Sequence, residues 1–257
     1  MLESPFYLDF NSGNSEPAGP PAKWRLPAGV RSVWFDGGNV LYDDTVWRRW
    51  MLRLLKNLGL QTHYHGFFRV WDREHLDAVY RGRRSFTEAF EAFLLSLGLS
   101  RGQIEEVQAA CRARRRELEG NLRPLPGVRG TLGRLVDGGW RLGILCNSEY
   151  PAPRLREQLT RCGMGSWFET VISSFDLRAA MPEAECYAAA LAAMHLTAAE
   201  AAFVGHDPAE LAGARAAGMA TVAFNGDPDA RADCYLNRFE DLEEALARPD
   251  ASLAAVG

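Results

Sequence analysis

Val30-Arg31-Ser32-Val33-Trp34-Phe35-Asp36-Gly37-Gly38 is a short β-branched and aromatic run that closes on an acid and two glycines. It is predicted to be a buried strand entering a tight loop, because the run is short and apolar and the glycines permit the turn. Asp36 is thereby placed at the carboxyl end of a strand. Downstream the period changes: Trp47, Trp50, Met51, Leu54 and Leu58 recur at helical spacing, and Gly59 stands where such a helix would stop. Helical segments are predicted around Phe67 to Tyr80, Phe86 to Leu97 and Ser100 to Leu118, with no strand pattern among them. The stretch 45–122 is therefore an all-helical insertion, and Pro124-Leu125-Pro126-Gly127 punctuates the return to the first unit.

Beyond that punctuation helices and strands alternate. A helix through Val128, Leu132, Leu135 and Val136 is followed by the strand Leu142 to Leu145. Helix Arg154 to Cys162, strand Thr170 to Ser173, helix Ala184 to Met194, strand Ala201 to Val204, helix Leu211 to Ala217 and strand Ala220 to Phe224 repeat the rhythm. Repeated crossovers of this kind make a doubly wound parallel sheet, an α/β fold, with ligands bound outside the carboxyl ends of the strands. Asp36, Asn147, Ser173 and His206 all fall there. A last helix is predicted over Asp241 to Leu246. The resulting organisation is a flexible tail over 1–23, the first part of the core over 24–44, the insertion over 45–122, the second part of the core over 123–246 and a tail over 247–257.

The 33 acidic and 29 basic residues nearly cancel, giving a net charge of −4, which supplies no electrostatic footprint for nucleic acid or an anionic membrane. Small molecules or proteins are the expected partners. Cys111, Cys146, Cys162, Cys186 and Cys234 are odd in number and never spaced C-x-x-C, which argues against a disulfide framework or a zinc knuckle and fits a reducing cytoplasm. No apolar stretch approaches the roughly 18 residues of a membrane span. The N-terminal segment shows no basic region followed by an apolar run. Substrate identity and oligomeric state are specified by no residue.

Four segments in order, FDGGNVL (35–41), LGILCN (142–147), SSFDLRAAMP (173–182) and FVGHDPAELAGARAAGM (203–219), resemble the motifs of the haloacid dehalogenase superfamily, of the helical-cap (subfamily I) type but with degenerate motifs. The resemblance covers about Val30 to Leu246. It implies a Rossmann-like core, a helical cap inserted after the first motif, and Asp36 as a nucleophile that forms a covalent intermediate with phosphorus or carbon. The other reading of Asp36 is an acid that bonds loop amides.

Several positions depart from the pattern. The acid that protonates the leaving group is replaced by Gly38, a loss that matters for a poor alkoxide leaving group and little for a halide or acyl phosphate. Cys146 stands for the usual Ser or Thr, either as a weak substrate contact or as a small buried residue, and a reactive thiol is disfavoured. Asn147 matches, with an amide able to hold a substrate oxygen. Met181 replaces the lysine that neutralises the nucleophile and the incoming anion. Arg178, three residues earlier, is the candidate substitute. Tyr187 matches a tyrosine of the dehalogenase branch and is equally a core residue. The metal-binding acid of the phosphatases aligns with Gly205, so Mg²⁺ is expected, if bound, in a shifted site of Asp36, the Gly38 carbonyl, Asp207 and Glu210. The competing reading makes His206 and Asp207 the cap of a helix beginning near Pro208.

The cap is aromatic, with Trp47, Trp50, Tyr64, Phe67, Phe68, Trp71 and Tyr80, most of them expected in helix packing. The run Arg112, Arg114, Arg115 and Arg116 is expected to be a solvated helical face. Three functions follow: a phosphoryl hydrolase with a shifted metal site, a metal-independent dehalogenase-like hydrolase, and a non-catalytic binding or regulatory protein on the same scaffold. The retained Asp36 favours a hydrolase of weak or unusual activity.

Overall fold

The computed structural model describes residues 26–60 and 70–246. The expected tails at 1–23 and 247–257, and the cap aromatics Tyr64, Phe67 and Phe68, lie outside the described residues. Six parallel strands, β1 (Ser32–Phe35), β2 (Arg141–Cys146), β3 (Phe168–Ser173), β4 (Ala201–Gly205), β5 (Ala220–Phe224) and β6 (Cys234–Leu236), form one sheet in the order β3-β2-β1-β4-β5-β6. The sheet is the doubly wound, Rossmann-like core that the alternation predicts. The sixth strand was not foreseen, since three residues carry too little pattern to register.

Helices cover both faces. Val128–Asp137 (α5) and Ala152–Arg161 (α6) pack with Val33, Phe35, Leu142 and Ile144 on one side. Ala184–Ala193 (α8) and Pro208–Ala216 (α9) pack with Trp34, Leu145 and Phe203 on the other. Trp34 pairs in register with Gly143 on β2, where an added Cβ would lie 2.6 Å from the indole ring. The glycine inside that apolar strand is thus the floor of the tryptophan. The predicted terminal helix is a 3₁₀ turn, Phe239–Asp241, followed by the short helix Leu242–Leu246 (α10).

Between β1 and β2 the chain is helical throughout the described residues, as the insertion requires. Thr45–Asn57 (α1) leads, followed after the undescribed stretch by a π-helical turn, Trp71–Leu76, running into Asp77–Tyr80 (α2). Capping boxes start the last two cap helices: Ser85 with Glu88 for Phe86–Ser96 (α3), and Ser100 with Gln103 for Arg101–Gly120 (α4). Met51, Leu55, Trp71, Phe90, Phe93 and Val107 form a separate cap core that does not merge with the two core clusters.

The joint between cap and core is polar. Arg81 of the cap pairs with Glu183 at 2.7 Å, and Arg178 of the short core helix region after Ser174–Leu177 (α7) donates to the Gly82 carbonyl at 2.7 Å. On the opposite side Arg115 pairs with Glu149 and donates to the Tyr150 hydroxyl, which in turn donates to Glu119 at 2.6 Å. Arg115 therefore lies across the Phe86 ring, 3.7 Å from its centroid, and not on a solvated face as expected. Among the described residues no helix is long and apolar enough to cross a membrane.

Candidate functional site

The strand order reverses between β1 and β4: the chain moves from β1 to β2 and β3, then crosses to β4. Side chains at the carboxyl ends of these two strands meet at that switch point. Asp36 follows β1 directly, its backbone N–H donating to the Val204 carbonyl on β4 at 3.0 Å. The residue is 6% exposed. Its Oδ1 accepts the Gly37 N–H at 2.8 Å, the loop-amide bond of the competing reading, while Oδ2 lies 3.3 Å from His206 Nδ1. That contact is at ion-pair distance but off the direction of a hydrogen bond, so it acts through charge.

His206 is thus the residue whose role the sequence concealed. Burial lowers its affinity for a proton, but the neighbouring Asp36, with Glu210 and Asp44 behind it, more than offsets this and raises its pKa to about 9. Nε2 approaches the Asn39 amide at 3.4 Å. The imidazolium supplies at this site the positive charge that Met181 cannot. Met181 itself is buried, and its backbone N–H and carbonyl are held by the Asn147 amide at 2.9 and 3.1 Å. Asn147 also donates to Glu210 Oε1 at 2.9 Å, so its side chain is occupied by internal bonds rather than turned to a ligand.

Of the expected set of Asp36, the Gly38 carbonyl, Asp207 and Glu210, Asp36 and Glu210 come together with His206 beside them, while Asp207 is engaged elsewhere. Asp207 accepts from the Ala209 and Glu210 N–H groups at 2.8 and 3.0 Å and caps α9, as the competing reading requires of it. His206 takes no part in that cap. Asp36, His206 and Glu210 instead bring one ligand atom each within 4.8 Å of one another, a cluster able to hold a metal ion. Glu210 is buried, and its Oε2 has no hydrogen-bond partner. Burial, then the charge of Asp36, push its carboxyl well above the usual range. Tyr187 is a core residue with a positioning bond: its hydroxyl donates to the Glu210 carbonyl at 2.6 Å.

Arg178 does not reach this cluster. Its backbone is left-handed, its guanidinium bonds the cap at Gly82, and it lies near the face of Phe175. Cys146 is buried, and burial, with Asp36 and Glu210 adding to it, holds the thiol well above its ordinary pKa, so it remains an unreactive packing residue. Ser173 donates to the Tyr150 carbonyl and caps α7.

Three glycines mark places where a neighbour has taken the space of an absent side chain. A Cβ at Gly205 would lie 2.7 Å from the Phe203 ring, one at Gly213 would lie 2.6 Å from the Tyr187 hydroxyl, and one at Gly38 would lie 2.5 Å from Asp44 Oδ2. Above the site a cleft of about 550 Å³ separates cap from core, bordered by Tyr42, Asp44, Trp47, Arg48, Tyr80, Arg115, Asn147 and Tyr150 among others. That volume suits a small molecule. Asn147, which bonds Glu210, borders this cleft, whereas Asp36, His206 and Glu210 do not line it.

The family model of haloacid dehalogenase-like hydrolases matches residues 30–218. Among solved structures, a dehalogenase superposes with a TM-score of 0.65 at 20% identity, over 87% of this chain and 100% of its own. A HAD-superfamily hydrolase of subfamily IA from Geobacter sulfurreducens PCA does so at 0.62 and 20% identity, over 87% and 100%. The 2-haloacid dehalogenase from Pseudomonas syringae pv. Tomato DC3000 gives 0.56 at 21% identity, over 85% and 99%. At such identities the likeness is one of fold. No curated protein matches the sequence.

Proposed function

The chain belongs to the haloacid dehalogenase-like hydrolase family, and from that premise we propose that it hydrolyses a small molecule through a covalent ester formed on Asp36. The observation that carries this reading is the His206 imidazole 3.3 Å from Asp36 Oδ2. A buried carboxylate without a counter-charge is a poor site for any electron-rich substrate, and the missing lysine leaves that defect. His206 repairs it from β4. Gly37 N–H holds Oδ1, so Oδ2 is the oxygen free to attack. Attack forms an ester between Oδ2 and the reacting centre and expels the leaving group. Water then cleaves the ester and restores the carboxylate.

The experiment is turnover of phosphate esters, acyl phosphates and 2-haloacids by the purified chain, with and without Mg²⁺, beside Asp36→Asn. Activity lost in the variant, with a wild-type mass increase equal to the trapped ester on Asp36, supports the reading. Turnover equal to that of Asp36→Asn would sink it and leave a binding or regulatory role, tested by ligand-induced thermal shifts.

The orphaned, buried Oε2 of Glu210 favours a second reading, in which a divalent ion held by Asp36, His206 and Glu210 takes the place of the His206 proton. Such an ion would supply positive charge to the nucleophile and the substrate oxygen. One imidazole beside two carboxylates suits manganese or zinc better than magnesium, which prefers an all-oxygen shell. Metal content after dialysis, and loss of binding in His206→Gln, test it.

A further inference from the structure

The site as described holds a nucleophile and its counter-ion but no group to protonate what leaves. Alkoxide and similar oxygens are poor leaving groups unless a proton reaches them as the bond breaks. The groups at the site that carry a proton are few, and most are otherwise engaged. His206 faces the nucleophile. Glu210 is tied to Asn147 and lies at the floor. Burial holds the Tyr42 and Tyr80 hydroxyls well above their ordinary range, which makes them weak acids.

Two acids precede α1, and they are used differently. Asp43 caps the helix, accepting from the Thr45 N–H at 2.9 Å and its hydroxyl at 2.7 Å, and pairs with Arg49 at 2.9 Å. Asp44 makes no capping bond. Its Oδ1 is sealed from solvent without a hydrogen-bond partner, and its Oδ2 lies 2.5 Å from where a Cβ of residue 38 would stand. The Asp44 carboxyl thus fills the place of a side chain at 38, lies within electrostatic reach of Asp36 and His206, and borders the cleft.

Resting on the Asp36 reading, we propose that Asp44 is the general acid of the reaction, and that the substrate is an ester whose leaving group is an alcohol oxygen rather than a halide. As Oδ2 of Asp36 bonds to the reacting centre, the electron pair of the breaking bond goes to the leaving oxygen, which takes the Asp44 proton and departs as the alcohol. The resulting Asp44 carboxylate accepts a proton from the water that cleaves the Asp36 ester, so acid and nucleophile both return to their starting states. The charged groups around Asp44 are Arg48 and His206, which favour its ionised form, and Asp36 and Asp43, which do not, with the neutral Tyr42 and Tyr80 hydroxyls also within electrostatic reach. Burial is the largest influence and the balance raises its pKa, as a proton donor requires.

The test is a series of phosphate monoesters of rising leaving-group basicity, from acetyl and p-nitrophenyl to alkyl phosphates, assayed with wild type, Asp44→Asn and Asp36→Asn. Asp44→Asn is expected to lower kcat/KM, which reads formation of the Asp36 intermediate, by about 10²–10⁴-fold on alkyl esters and only a few-fold on acetyl phosphate, while hydrolysis of the shared intermediate slows alike for all. The alkaline limb of the alkyl-ester pH profile is expected to disappear with it. Returning a carboxyl by Gly38→Asp in an Asp44→Ala background is expected to restore alkyl-ester turnover, which a merely structural role would not allow. Equal losses of kcat/KM along the series, no loss, or wild-type turnover of haloacids but of no oxygen ester would overturn the assignment. If instead Asp36→Asn keeps full activity on every ester, the nucleophile reading fails, and that outcome is distinct from all of these.

Discussion

The loop after β1 and the end of β4 each carry a glycine, Gly38 and Gly205, where the resemblance implies an acid, and the two spaces are filled in opposite ways. At Gly205 the filler is the Phe203 ring, an apolar group from the same strand. At Gly38 it is the Asp44 carboxyl, a polar group from the start of the first cap helix. The first loop thus keeps an acid at the site by a different route. The second holds no acid in that place and is followed by His206, 3.3 Å from the proposed nucleophile Asp36. Losing a motif residue and losing its chemistry are separate events, and only the neighbours that occupy the space tell them apart.

Substitutions can break this contrast at several strengths. The largest effect is expected from Asp36→Asn, a fall in turnover of about 10⁴-fold or more with the fold intact, checked by circular dichroism beside the kinetics. Next is His206→Gln, expected to lower kcat/KM by about 10²-fold and, at pH 6, to reduce stability by about 3 kcal/mol by leaving Asp36 unpaired. Because the folded pKa of His206 is raised to about 9 from 6.5, its stabilisation is complete below pH 6.5 and is lost as pH rises through 9. Denaturant melts of the two proteins should therefore converge at high pH. Melts that stay equally separated from pH 6 to pH 10 would show that His206 is not the counter-ion.

Gly205→Asp sharpens the apolar half of the contrast. The new side chain would collide with Phe203, so a loss of about 1–3 kcal/mol is expected, with no gain of magnesium dependence. Recovery of a magnesium-activated enzyme would mean that the ring yields easily. The smallest effect is expected from Glu210→Gln, with the opposite sign. The Glu210 carboxyl is raised well above 4.5, so the wild type forfeits stability as pH climbs past that value, and the amide does not. A gain of about 1 kcal/mol at pH 7 is expected in chemical denaturation.

The core was legible because each strand announces itself locally. Val33-Trp34-Phe35 and Leu142 to Cys146 are short, apolar and closed by turn residues, and the helices between them have one apolar stripe. β6 escaped because Cys234-Tyr235-Leu236 is too short to show a period. In the cap, the capped helices were plain, whereas the π-helical turn at Trp71–Leu76 follows from packing rather than spacing. Asp36 was found because it ends a strand. His206 was read as part of a cap since a histidine before Asp-Pro has that local use, and its distance to Asp36 depends on β1 and β4 being neighbours. Asp44 was passed over although a signal existed: two acids stand before a helix that needs only one, eight residues from an acid followed by two glycines. Arg178 was put at the site by proximity in sequence, but its left-handed backbone turns the chain toward the cap.

The polar joint between cap and core has a thermodynamic corollary. Because, among the described residues, the cap keeps its own apolar cluster and is joined to the core by ion pairs and hydrogen bonds of Arg81, Arg115, Arg154 and Arg178, lifting it would wet far less hydrocarbon than unfolding and would replace ion pairs by hydrated ions. Opening should therefore carry a much smaller heat-capacity change than unfolding. It should instead respond to ionic strength, since partly exposed pairs are screened within about 10 Å at 0.1 M salt. The cleft above Asp36 is in this sense an electrostatic hinge, whose set point is adjusted by the surrounding electrolyte while the two cores on either side stay folded.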